Sequence, residues 1–197
     1  MSKRVILITG TPCVGKTTLA KRLSAELDGL YVNLTDLAKK EKLVSRKDLG
    51  RGTSVVNEKK MRAKLLEIIQ KSEKATIIVD GHYAAAVTPK DQVTRVFVLR
   101  RDPRELRTFM ENCGFSETKL EENLAAEILD VCLFEALREQ EEEKVCELDI
   151  TGKTVEESMA DVLAVLDGRK KCPVGRVDWM GMLEKEGVLD QYLKTQA

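Results

Sequence analysis

The segment Gly10-Thr11-Pro12-Cys13-Val14-Gly15-Lys16-Thr17-Thr18 constrains the fold more than any other stretch of the chain. It fits G-x-x-x-x-G-K-[ST] at every required position. It also stands where that pattern has to stand, after an apolar run (Arg4–Thr9) and before a helical one (Lys16–Leu27). The spacing has a physical basis. Gly10 and Gly15 permit backbone angles closed to other residues, so successive N–H groups turn inward around an anion. The helix that follows contributes partial positive charge at its first turn. Lys16 reaches the outer phosphates of a nucleotide, and the Thr17 hydroxyl is a magnesium ligand. Gly10, Pro12, Cys13, Val14, Gly15, Lys16, Thr17 and Thr18 are therefore the expected ATP-binding residues, with Mg2+ accompanying the nucleotide.

Four further apolar runs, Gly29–Asn33, Thr76–Asp80, Arg95–Arg100 and Val145–Ile150, are continuous rather than alternating, as in strands buried on both faces. Helical patterns separate them. Asn57–Lys71 carries Met61, Leu65, Ile68 and Ile69 on one face. Asp102-Pro103-Arg104-Glu105 opens a second helix, which Gly114 stops. Ser116 starts a long helix running to about Glu142, and Thr154–Glu157 is a capping box for a helix that Gly168 ends. Strands alternating with helices predict an α/β fold of three layers around a five-stranded parallel sheet. The expected domain spans residues 1–168. Residues 169–197 follow as a basic linker and a tail whose apolar spacing, from Val177 to Leu193, predicts one or two short amphipathic helices.

Ligands of open parallel sheets lie beyond the carboxyl ends of the strands. Asp80 ends an apolar strand and is expected beside the phosphates, where it orients the metal and its water. His82 follows by two positions and is a candidate to place water or a phosphoryl acceptor. Asp80 and Thr17 are the expected metal ligands.

The composition narrows the remaining classes. The chain of 197 residues holds 33 basic and 33 acidic residues, so no global field draws it to nucleic acid or membrane. No apolar run approaches the length of a membrane span, and the first strand leaves no room for a signal peptide. The five cysteines show no C-x-x-C spacing and the single histidine has no cysteine near it, which argues against zinc. An odd, scattered set predicts reduced thiols and a cytoplasmic protein.

Several stretches together resemble a known family. These are Gly10–Thr18, Tyr31-Val32-Asn33-Leu34-Thr35-Asp36-Leu37-Ala38, Val79-Asp80-Gly81-His82, Val96–Arg100, the Gly114-Phe115-Ser116 turn, Lys119–Asn123 with Ala126-Glu127, and Val177-Asp178-Trp179. Over nearly its whole length the chain is similar to the adenylate kinase isoenzyme 6 branch of the nucleoside monophosphate kinases, in its archaeal members. The resemblance implies a P-loop core with an acceptor-binding segment at residues 33–57 and a short lid at 112–122. It implies AMP contacts at Asn33, Asp36, Leu37, Lys39 and Arg51, and Lys153 in a loop bordering the adenine. It also implies ATPase activity in maturation of the small ribosomal subunit, with a small-subunit ribosomal protein and pre-ribosomal rRNA as partners, and a monomer or weak dimer.

The chain departs from the family at the lid. The usual Arg-Leu-x-x-Arg-Gly-Tyr is Phe109-Met110-Glu111-Asn112-Cys113-Gly114-Phe115, so both lid arginines are gone. Such cations stabilise charge on the transferring phosphoryl group and can be worth about a thousandfold in rate. Arg100, Arg101, Arg104 and Arg107 are the available substitutes, with Arg100 the expected catalytic cation. Two functions follow. One is a nucleotide kinase (ATP + AMP = 2 ADP) using Lys16, Asp80, His82 and Arg100. The other is primarily an ATPase switch acting in ribosome assembly, with weak or no AMP kinase activity because both lid arginines are absent.

Overall fold

The computed structural model describes residues 3–48 and 53–193. Its main sheet has five strands: β1 (Arg4–Gly10), β2 (Leu30–Asn33), β5 (Thr76–Asp80), β6 (Val93–Arg100) and β7 (Val145–Asp149). They are ordered β2-β5-β1-β6-β7, and every neighbouring pair is parallel. Alternate residues of one strand enter two cores, which is why these runs are continuously apolar. Val5 and Leu7 pack on one face under α2 (Leu34–Lys40), α3 (Glu58–Lys71), α4 (Ala84–Val87) and α7 (Val131–Glu139). Ile6 and Ile8 pack on the other under α1 (Lys16–Glu26), α5 (Pro103–Asn112), α6 (Glu117–Ile128) and α8 (Val155–Leu166). The three-layer α/β fold with a five-stranded parallel sheet is therefore present as expected.

Capping residues set the helix boundaries. Asn57 accepts from the Lys60 amide, Asp102 from the Arg104 amide with Pro103 at the first turn, and Thr154 with Glu157 forms a complete capping box. The long helix expected from Ser116 to Glu142 is instead two helices, α6 and α7. Asp130 interrupts it with φ +57°, and the Arg100 guanidinium donates both to the Asp130 carboxylate and, at 2.8 Å, to the Glu127 carbonyl. A buried cation has captured the last turn of α6. An antiparallel pair not expected from the sequence, β3 (Val44–Asp48) and β4 (Thr53–Val56), lies between α2 and α3.

The cysteine expectation needs correction. Cys146 on β7 and Cys172 form a disulfide across a sequence separation of 26, with Cα atoms 5.1 Å apart; Cys13, Cys113 and Cys132 are free. Sequence spacing carries no signal for this pair, because the fold alone returns the chain to β7. A link closing a loop of this length contributes about 3 kcal/mol. The tail packs on the body. Helices α9 (Trp179–Lys185) and α10 (Leu189–Tyr192) place Trp179 and Leu183 against Ile128 of α6, and Arg104 pairs with Glu186 at 3.1 Å. Among the described residues, no helix is long and apolar enough to cross a membrane.

Candidate nucleotide site

The loop 10–15 turns from the end of β1 into α1 at the centre of the sheet. Gly10 has φ +133°, and a Cβ there would lie 2.5 Å from the Leu99 carbonyl oxygen, so no other residue fits. Gly15, the residue before α1, has φ +116°. Val14 is fully buried beneath the loop, whereas Cys13 sits on its outer side with φ +64°. Lys16 is 9% exposed, and its ammonium donates to the Thr11 carbonyl at 2.7 Å. Burial lowers its pKa below the ordinary lysine value, against the opposing charges of Asp80 and Glu127.

Asp80 meets this loop from the neighbouring strand. One of its oxygens, Oδ2, accepts from the Thr17 hydroxyl at 2.7 Å, the Tyr31 hydroxyl at 2.8 Å and the Asn33 amide at 2.8 Å. The carboxylate is 1% exposed, so its orientation is fixed. Burial and the bond to Asp80 push the Tyr31 phenol up to about 12, which keeps it a donor. A hydroxyl and a single carboxylate at this separation suit magnesium, which takes its other ligands from phosphates and water. Thr17 and Asp80 are the residues that would hold it.

His82 lies just beyond. It is exposed on one side, although protein atoms crowd the rest of its ring and Tyr83 meets it edge-on at 4.9 Å. That crowding, with the charge of Lys16 and against that of Asp80, lowers the imidazole to about 4. The folded protein thus releases a proton that the unfolded chain still holds between about pH 4 and 6.5. Stability attributable to His82 is present above pH 6.5 and lost as pH falls toward 4. His82→Gln should therefore shrink the drop in unfolding temperature between pH 7 and pH 5. The wild-type rate should show no inflection near pH 6.5 from this group, the only histidine in the chain.

A cavity of about 420 Å³ opens on the other side of the loop, between α5 and residues 150–155. Thr18, Arg101, Phe109, Ile150, Gly152 and Lys153 line it. Arg101 donates to the Val14 carbonyl at 3.2 Å and lies 4.7 Å over the Phe109 ring. Glu105 pairs with Arg101 and accepts the Gly152 amide at 3.0 Å, which ties loop 151–153 to α5. Lys153 borders the cavity, but its ammonium is held by Asp161 at 2.9 Å and the Asp149 carbonyl at 2.8 Å.

Arg100 does not fill the role expected for it. It is 1% exposed and donates to Glu127 at 2.8 Å, to Glu147 at 2.6 Å and to Asp130. Burial opposes its charge, but Glu127 and Asp130 outweigh burial and hold its pKa above the ordinary value. It is a structural cation; the neighbouring Arg101 faces the cavity. Arg104 is held by Asp102 and Glu186, and Arg107 lies over the Tyr192 ring.

The expected acceptor residues divide. Asn33 caps α2 by accepting the Asp36 amide at 3.0 Å while donating to Asp80, so it joins the two halves of the site. Asp36 and Lys39 are exposed, and Leu37 is buried in the core. Arg51 lies outside the described residues. The sequence reading gave no role to Tyr31 or Glu127, which bond to Asp80 and to Thr11. Both fall in stretches that carried the resemblance, but residue type alone does not separate a hydroxyl or carboxylate turned inward from one on the surface.

A phosphate loop, a strand-end acid and an adjoining cavity at the carboxyl edge of a parallel sheet define a P-loop nucleotide-binding protein. An AAA domain family model matches residues 6–130. A Pyrococcus furiosus protein named "Putative adenylate kinase" is 37% identical over 185 residues, covering 92% of this chain and 94% of that one. The protein of the same name from Methanocaldococcus jannaschii is 37% identical over 174 residues, covering 88% and 92%. The fold also resembles a shikimate kinase from Bacteroides thetaiotaomicron (TM-score 0.58, 16% identity, 83% of this chain and 98% of that one). It resembles a gluconokinase from Sinorhizobium meliloti as well (TM-score 0.57, 14% identity, 85% and 94%). The chain belongs to the adenylate-kinase-like family.

Proposed function

We propose that this protein is a magnesium-dependent nucleotide kinase that moves the γ-phosphoryl group of ATP to AMP. The observation that carries this reading is the meeting of Lys16 and Thr17, from the start of α1, with Asp80, from the end of β5, at the phosphate loop. The phosphates of ATP take the loop amides, and the Lys16 ammonium exchanges the Thr11 carbonyl for a phosphate oxygen. Asp80, held by Tyr31 and Asn33, keeps the Thr17 hydroxyl oriented. Magnesium, when bound, supplies charge neutralisation on the phosphates. The base occupies the cavity between Arg101, Phe109 and loop 151–153. His82 is neutral at pH 7 and can orient an acceptor hydroxyl or water by hydrogen bonding. Residues 33–57, with Lys39 and Arg51, receive the acceptor phosphate, and residues 112–122 form the lid.

One observation favours a second reading, an ATPase switch in ribosome assembly whose output is the binding state of a ribosomal partner. Positions 109 and 113 hold Phe and Cys, and Arg100 is enclosed by carboxylates. Among the described residues, Lys16 and Arg101 are cations bonded to the phosphate loop. Restoring charge with Phe109→Arg and Cys113→Arg together should raise AMP-dependent ADP formation about tenfold or more. Steady-state assays with and without each nucleoside monophosphate measure this. An unchanged rate would mean that Arg101 and Lys16 already supply the stabilisation.

A further inference from the structure

Glu127 stands where three parts of the molecule meet. Its Oε2 accepts from the Thr11 hydroxyl of the phosphate loop at 2.5 Å. Its Oε1 accepts from Arg100 Nε at 2.8 Å, from the Arg101 amide at 3.2 Å and from the Trp179 indole N–H at 3.1 Å. The carboxylate is 2% exposed and the indole 8%. The tail reaches the same buried network a second time. Glu147, which pairs with Arg100, also accepts the Arg176 amide at 2.9 Å, and the adjacent Cys146 is cross-linked to Cys172. Residues far apart in sequence, Thr11 and Trp179, thus share one carboxylate.

This arrangement has a consequence when phosphate arrives. Lys16 now holds the Thr11 carbonyl, and a bound phosphate competes for that ammonium. The Thr11 carbonyl then loses its charged donor and keeps only the longer bond from the Val14 amide at 3.3 Å, while the Thr11 hydroxyl remains on Glu127. Donors to one buried carboxylate polarise one another, so a change at Thr11 is felt at Trp179. Such coupling acts in both directions. We propose that Glu127 is a positioning residue that couples the C-terminal tail to the phosphate loop, so that nucleotide occupancy and the Trp179 contact alter one another. The inference rests on the nucleotide reading of the loop.

Trp179 is the only tryptophan in the chain, so its emission reports the contact directly. The full-length, disulfide-intact protein is titrated with magnesium ADP, and binding is measured separately by calorimetry. The expected result is an emission change that saturates along the calorimetric curve. Trp179→Phe keeps an aromatic ring beside Ile128 and Leu183 but removes the N–H donor, and the disulfide still anchors the tail. That variant should bind ADP differently by about fivefold or more, as should Glu127→Gln. A purely structural contact would change the unfolding temperature but leave emission silent. Calorimetric binding with silent emission and unchanged affinity in Trp179→Phe would overturn the coupling while leaving the nucleotide site intact. No calorimetric binding at all would overturn the nucleotide reading, and the coupling with it. The wild-type comparison of emission and calorimetry decides the matter even if a variant fails to fold.

Discussion

Lys16→Met is expected to lower kcat/KM for ATP by about a thousandfold while leaving a folded protein. The ammonium is buried against the loop, and a lysine at this place in the motif reaches the outer phosphates. Methionine replaces most of the aliphatic stem, so packing beneath the loop changes little. The Thr11 carbonyl loses one donor, at a cost of about 1 kcal/mol. Burial already opposes the charge, as its lowered pKa shows, so removing the charge recovers part of that cost. Circular dichroism would verify the fold, and single-turnover kinetics would locate the loss in the chemical step. A loss of less than about tenfold would mean that the loop holds phosphate without using its lysine.

Arg100→Met is expected to act on stability instead, by about 3–5 kcal/mol. Three carboxylates, on Glu127, Glu147 and Asp130, converge on this guanidinium. Without it, the buried Glu127 and Glu147 repel each other in a medium that screens poorly. The end of α6 also loses the donor that caps its Glu127 carbonyl. Urea unfolding would measure the loss. A small stability change with collapsed turnover would return Arg100 to the catalytic role expected from sequence.

That role was misread for a reason that lies in the chain itself. Arg100 and Arg101 are adjacent at the end of β6, and successive residues of a strand point to opposite faces. Composition cannot tell which of the two turns toward the nucleotide. The partners that decide it, Glu127 and Glu147, are 27 and 47 positions away. The phosphate loop was legible because its chemistry is local: two glycines, a lysine and a threonine in one turn. Asp80 was legible because a strand of five buried residues can end in a charge only at its edge. The break between α6 and α7 was not, because Asp130 leaves the helix to meet a cation on another strand. The Cys146–Cys172 link escaped for the same reason. The β3–β4 pair left only a one-sided local sign, the Thr53-Ser54-Val55-Val56 run after Gly50-Arg51-Gly52, because Val44-Ser45-Arg46-Lys47-Asp48 is mostly polar.

A nucleotide kinase passes the γ-phosphoryl group of ATP to AMP, whereas an ATPase passes it to water. The most direct measurement follows that group from γ-labelled ATP, with magnesium and unlabelled AMP, at early times and with product separation. Label should pass into the β-position of newly formed ADP at a rate that depends on AMP and is lost in Lys16→Met. Label appearing only as inorganic phosphate, at a rate indifferent to AMP, would contradict the kinase reading and leave an ATPase.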